Sequence, residues 1–219
     1  MSDANFAPHD LVRLIGKSGL DALRPHLYDA MPTLPLTPTR GDYDLNPELR
    51  PNAKRILLPS AVLMPIVARP EPTVLLTERA AHLPRHAGQV SFPGGRVDAR
   101  DKNLIDTALR ETREETGIAE DFVSLAGFLD PYETGTGYAI LPVVGLVREG
   151  FSLVADANEV AGIFEVPLSF LLNPANRERH KTVWQGRERE YYAYTYEGHY
   201  IWGATAAMLV NFGEKVGAA

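Results

Sequence analysis

Glu111, Glu114 and Glu115 stand three and four residues apart, or side by side, in one short stretch. On an α-helix residues at those spacings share a face, so the three carboxylates form one acidic stripe. Like charges so placed disfavour a helix by roughly 0.2–0.5 kcal/mol per pair, and by more where water is excluded. A divalent cation relieves that repulsion. Carboxylate oxygens suit the hard ions Mg²⁺ and Mn²⁺, and Mg²⁺ commonly shares its shell with the oxygens of a substrate phosphate. A bare Glu-Glu pair is ordinarily a solvated surface face; the residues around this one argue otherwise.

The stripe needs a helix and a wall. Leu104, Ile105, Ala108, Leu109 and Thr112 recur at the helical period beside the acids, which places the acids at the rim of a core. Asp101 or Asn103 is placed to cap the start, and Gly117 supplies the residue best able to turn left-handed at the end. Upstream lies the glycine turn Gly94-Gly95.

Taken together, Arg110, Glu111, Glu114, Glu115, Gly117 and Ile118 match the box of the Nudix hydrolase family, Gly-x5-Glu-x7-Arg-Glu-U-x-Glu-Glu-x-Gly-U, with U a bulky apolar residue. The chain thus resembles that family. Thr112 stands at one U position, and Asp101 stands at the middle acid position with one residue more before Arg110. A second stretch, Leu75 to Ala80, then Gly88 and Phe92-Pro93-Gly94-Gly95, looks like the added signature of coenzyme A pyrophosphatases, as does the extra residue before Arg110. That subgroup carries an arginine where this chain has Pro84; Arg85 follows one place later.

The resemblance implies an α/β fold, a Nudix-type α/β/α sandwich with a mixed sheet, here preceded by an N-terminal helical extension. It implies Mg²⁺ or Mn²⁺ held by Glu111, Glu115 and Glu114, with the backbone carbonyl of Gly94, and Arg110 orienting the carboxylates by charge-assisted hydrogen bonds. The general base is Glu111 or Glu159. Arg79, Arg85 and His86, on the loop entering the box, would meet substrate phosphate. The implied reaction is hydrolysis of coenzyme A or its derivatives to 3′,5′-ADP and 4′-phosphopantetheine or its acyl form. Cleavage of ADP-ribose or NADH, and a Nudix module that binds a nucleotide without cleaving it, stand as alternatives.

Other motifs read as structure. Gly135-Thr136-Gly137 lacks the lysine of a P-loop and reads as a turn that borders the pocket only by resemblance. His82 and His86 are excluded as a metal pair by Pro84 and the lack of a third ligand. Trp184, Trp202 and the tyrosines of 191–196 read as core or cross-strand pairs, and none is assigned to the site.

The 219 residues, 45% hydrophobic and 23% charged, suffice for one sizeable core. Cysteine is absent, which excludes thiolate catalysis and zinc–thiolate sites. The net charge of −6 argues against general nucleic-acid binding; the partner that the resemblance implies is a small-molecule nucleotide. No apolar run is long enough for a bilayer and Met1 to Asp10 lacks the features of a signal peptide, so no membrane partner and a cytoplasmic location are expected.

Residues 8–23 are expected to form a short helix, with a lid, a packing arm or an oligomer contact such as a homodimer interface as its open roles. Prolines 32, 35, 38, 47 and 51 make the following segment an extended connector. The expected division is therefore 1–51 extension, 52–214 Nudix domain and 215–219 tail. Strands are expected over 56–68, 73–77, 122–129, 138–147 and 163–166, with Pro65 near an edge or bulge. A short helix over 168–172, a hairpin around Gly186 within 183–196 and a terminal helix over 204–212 complete the reading.

Overall fold

The structure, a computed structural model, describes residues 12, 13, 15, 18–51, 55–184 and 186–217. Its strands in chain order are β1 (Arg40–Gly41), β2 (Leu58–Val67), β3 (Thr73–Arg79), β4 (Val90–Ser91), β5 (Gly94–Arg96), β6 (Val123–Phe128), β7 (Tyr132–Glu133), β8 (Tyr138–Val147), β9 (Val160–Pro167), β10 (Glu178–Trp184), β11 (Arg187–Tyr196) and β12 (His199–Trp202). Its helices are α1 (Leu20–Leu23), α2 (Leu104–Thr116), α3 (Leu168–Leu172) and α4 (Gly203–Lys215).

Strands β2 and β8 are apolar along nearly their whole length because both of their faces are covered. They pair in parallel from Leu58↔Tyr138 to Val67↔Val147 and form the centre of a mixed sheet ordered β1-β7-β8-β2-β3-β4. Off that path β5 pairs with β2, β6 with β8 and β9 with β3. The two-residue period of a strand sends alternate side chains to opposite faces. Met64 and Ile66 accordingly join a core with Val144, Leu209 and Phe212, while Ala61 and Leu63 join another with Leu104, Ala108 and Leu141. With α2 on one face and α4 on the other, the fold is the expected α/β/α sandwich. A second, antiparallel sheet, β10-β11-β12, packs against α4.

Most expected elements are present, with strand ends shifted by a few residues. Two differ. Pro65 lies in a central strand rather than near an edge: it sits opposite Gly145 of β8, and on its other flank β2 pairs with β5 only over residues 60–62 and with β3 only over residues 66–67. Leu63 N, two residues earlier and so on that same flank, donates to the Pro93 carbonyl at 2.9 Å. A proline nitrogen facing the gap between β3 and β5 forfeits no ladder bond. The third strand of the small sheet, β12, continues from the hairpin through a Glu197-Gly198 turn that the sequence reading did not separate. Of the helix expected over 8–23, residues 1–11, 14, 16 and 17 lie outside the described residues; Val12 and Ile15 are helical and buried in the core that includes Leu23. Among the described residues no helix is long and apolar enough to cross a membrane.

Candidate active site

Helix α2 is fixed at both ends. Asn103, the second of the two candidate caps, accepts from Ile105 N at 2.8 Å and Asp106 N at 3.0 Å. Gly117 closes the other end at φ 78°, with its N–H donating to Arg113 O. Thr112, the polar residue at a bulky apolar position, is buried because its hydroxyl donates to Ala108 O at 2.7 Å. That local bond satisfies the group where water cannot.

The 100° step of the helix grades the burial of the three acids. Glu111 lies between the other two around the axis, with Glu115 turned to the core and Glu114 to solvent. Glu115 is 3% exposed, whereas the side chains of Glu111 and Glu114 are 17% and 42% exposed. One Glu115 oxygen, Oε2, is buried without a hydrogen-bond partner, and the N–H of Gly94 donates to the same carboxylate. Burial, then the charge of Glu111, push the Glu115 carboxyl up to about 8, with Arg79 opposing them. Burial also raises Glu111. Glu159, on the turn before β9, adds its charge to both.

Behind the acids Arg110 works as a clamp. Its guanidinium, 12% exposed, donates to Asp101 from Nε at 2.8 Å and Nη2 at 2.9 Å, and from Nη1 to Glu111 at 2.7 Å and Glu114 at 2.9 Å. Asp101 is held well below the usual carboxylate range, by Arg110 before any other contact. Asp101 thus anchors the arginine and leaves the cap to Asn103. Glu114 is also in reach of Arg100, at 3.4 Å. Gly94 and Gly95 run against this cluster: a Cβ at Gly94 would stand 2.5 Å from the Ala61 carbonyl oxygen, and one at Gly95 2.5 Å from the Glu111 carboxyl carbon. Only glycines permit that approach.

A cavity of about 820 Å³ opens over the acids. Glu111, Glu115, Glu159, Gly94, Arg79, Arg85 and His86 line it; Glu114 and Arg110 lie outside its wall. Arg79 is carried by β3, while His86, in a left-handed conformation at φ 58°, is held by Gln89 at 2.7 Å. His82 instead contacts the Asn158 carbonyl, apart from His86.

The NUDIX domain pattern matches residues 57–189, more than half of the chain. The chain belongs to the Nudix family. It is 45% identical over 157 residues to a protein of Photorhabdus laumondii named uncharacterized Nudix hydrolase NudL, covering 72% of this chain and 84% of that one. The protein of the same name from Yersinia pestis strain Pestoides F is 43% identical, with 72% and 79% covered. Among solved structures, a MutT protein from Methanosarcina mazei Go1 aligns over 55% of this chain and 84% of its own at 24% identity, with a TM-score of 0.44. The NUDIX domain of Shewanella oneidensis NrtR, solved with ADP ribose, aligns over 60% and 84% at 20% identity, with a TM-score of 0.43. The chain is therefore a Nudix pyrophosphohydrolase, an enzyme of the class that acts on nucleoside diphosphate derivatives.

Nudix hydrolases generally use divalent cations; among the described residues no three carboxylate or imidazole groups are gathered for one, and what points to an ion here is the chemistry of the Glu111–Glu115 pair. A buried carboxylate oxygen without a donor, a second carboxylate on the next turn and a hard-oxygen donor set are what such an ion requires. Sequence reasoning missed the part of the cavity wall formed by Asp42, Arg189, Tyr191 and Trp202, whereas Gly135 and Thr136 line it as the resemblance implied. Tyr191 and Trp202, read above as core or cross-strand pairs and kept out of the site, do meet across strands, edge to face at 5.4 Å, but line the cavity; Tyr194 is buried in the core, with Tyr192 and Tyr196 packed against it. The two-residue period joining Arg189 to Tyr191 was the available signal, but period alone does not say which face of a hairpin meets a cavity.

Proposed function

We propose that this Nudix hydrolase cleaves the diphosphate of coenzyme A or its derivatives, releasing 3′,5′-ADP and 4′-phosphopantetheine or its acyl form, with Mg²⁺ or Mn²⁺ as cofactor. The observation that carries the reading is the Glu111–Glu115 pair facing a cavity also lined by Arg79 at the end of β3 and by Arg85 and His86 of the loop that follows. Glu111 and Glu115 would hold the cation together with the Gly94 carbonyl oxygen, and Glu114 would be the third carboxylate, which here is paired with Arg110 and Arg100. When bound, the cation neutralises the diphosphate and lowers the pKa of a bound water towards roughly 7. Arg110, tied to Asp101, keeps the carboxylates in register. Glu159 or Glu111 accepts the proton of the attacking water. Arg79 and Arg85 bind substrate phosphate through their guanidinium forks, and His86 lies beside them.

The test is a mass-spectrometric product assay with Mg²⁺ or Mn²⁺ on coenzyme A, acetyl-coenzyme A, ADP-ribose and NADH. Preferential release of 3′,5′-ADP from coenzyme A is expected. Faster cleavage of ADP-ribose or NADH, the reading that Pro84 keeps open, would overturn the coenzyme A assignment and leave the hydrolase standing.

A further inference from the structure

The wall of the cavity opposite the glutamates is held by a segment outside the matched family region. The connector 40–46 precedes residue 57, yet it is stitched to both sheets. Arg40 and Gly41 pair with β7 in register with Tyr132 and Glu133. Asn46, 2% exposed, grips β11 at one residue from both sides: its Nδ2 donates to Glu190 O at 2.9 Å, and its Oδ1 accepts from Glu190 N at 2.7 Å. The same Nδ2 donates to Asp42 O at 3.1 Å.

Asp42 itself is the junction. Its Oδ1 accepts from the Tyr132 hydroxyl at 2.8 Å, and its Oδ2 accepts from Gly135 N at 2.7 Å and lies 2.9 Å from Arg189 Nη2. Both charged side chains are mostly buried, at 10% and 16% exposed. Asp42, Gly135 and Arg189 all line the cavity, and Tyr191, two residues beyond Arg189 on the same strand face, presents its ring beside Trp202. A guanidinium is a rigid planar group, so its ion pair with Asp42 fixes where that plane stands in the cavity wall. A carboxylate shared by three donors is itself fixed, and here it also fixes the Gly135 turn, the glycine motif that no P-loop explains.

We propose that Asp42 is a positioning residue that sets Arg189 and the Gly135–Thr136 turn as a subsite for an anionic group of a ring-bearing substrate, next to the Tyr191–Trp202 pair. This rests on the Nudix reading of the cavity and deepens it, naming the far-wall contact of a nucleotide. A guanidinium contact carried by a different element from Glu111 and Glu115 holds an anionic ligand in one orientation. Guanidinium and aromatic ring supply charge and stacking for one nucleotide.

The primary test is calorimetric binding of ADP to the metal-free protein, comparing the wild type with Asp42→Asn, Arg189→Gln and the double variant. Asp44→Asn, which breaks an ion pair of the same connector with Arg40 at 3.0 Å, is the control. Asp42→Asn keeps the size of the side chain. It is expected to weaken ADP at least fivefold in protein that circular dichroism shows folded at the titration temperature, Arg189→Gln to weaken it similarly, and the double variant to be no worse than Arg189→Gln. Asp44→Asn should leave affinity unchanged. In steady state, Asp42→Asn should raise KM with kcat within twofold on whichever of coenzyme A and ADP-ribose is cleaved, so a wrong coenzyme A assignment does not disturb the reading. Unchanged ADP affinity in Asp42→Asn, additive losses in the double variant, or no ADP binding by the wild type would each overturn the proposal. If Asp42→Asn merely unfolds, the Arg189→Gln affinity alone decides it, unchanged binding again overturning the subsite.

Discussion

At the residue scale Glu115 concentrates the cost of this site. Its carboxyl, pushed up to about 8 from the ordinary 4.5, keeps its proton in the metal-free fold at a pH where the unfolded chain has lost it. Folding then binds protons, so this contribution is fully present below about pH 4.5 and is lost as pH rises through about 8. Denaturation of metal-free protein between pH 5 and 9 should therefore show a loss of stability that Glu115→Gln removes. If Glu115 holds the ion as proposed, the ion requires the ionised carboxylate, and Mg²⁺ should raise the melting temperature more at pH 8.5 than at pH 6 in the wild type, and by little in Glu115→Gln. The same variant should lose roughly 10³-fold in kcat, the several kcal/mol of charge stabilisation that the metal supplies. Turnover within tenfold of wild type would contradict the metal assignment.

At the scale of elements the box works because a strand, a turn and a helix meet at van der Waals distance. Gly95→Ala places a methyl group 2.5 Å from the Glu111 carboxyl carbon. Metal affinity is expected to fall about 10- to 100-fold, as when a supporting contact of a ligand is lost. A Mg²⁺ titration followed by the melting temperature reads this. Helix α2 is separately sensitive at its cap: Asn103→Ala removes the one oxygen that accepts from two N–H groups and should cost about 1 kcal/mol by urea denaturation. The loss should leave KM unchanged, because the cap touches no cavity residue.

At the scale of the whole molecule the cavity has two suppliers. The large sheet and α2 provide the acids; the small sheet, α4 and the connector provide the opposite wall. Phe212 of α4, fully buried, belongs to the core that supports that second wall. Phe212→Ala should cost about 3–5 kcal/mol, or roughly 10 °C in melting temperature, measured by thermal denaturation. The carboxylates rest on the other core, with Leu104 and Ala108. Their metal response should survive in the fraction that remains folded.

What the sequence alone determined was whatever a local period carries. The helical spacing of Leu104, Ala108 and Thr112 against Glu111 and Glu115 was enough for helix α2, its left-handed end at Gly117 and its acidic face. The apolar runs of β2 and β8 were enough for buried strands. Spacing did not show that Asp101 reaches nine residues along to anchor Arg110 while Asn103 takes the cap, for either side chain could have served at the helix start. Nor did it place Pro65 in a central strand, because that depends on β5 ending and β3 beginning on either side of one missing N–H. The far wall was decided by tertiary structure alone. Asp42 meets Gly135 and Arg189 across 93 and 147 residues of chain, and no pattern within either segment encodes that meeting. It follows from how the two sheets pack around the connector, and packing is a property of the assembled fold.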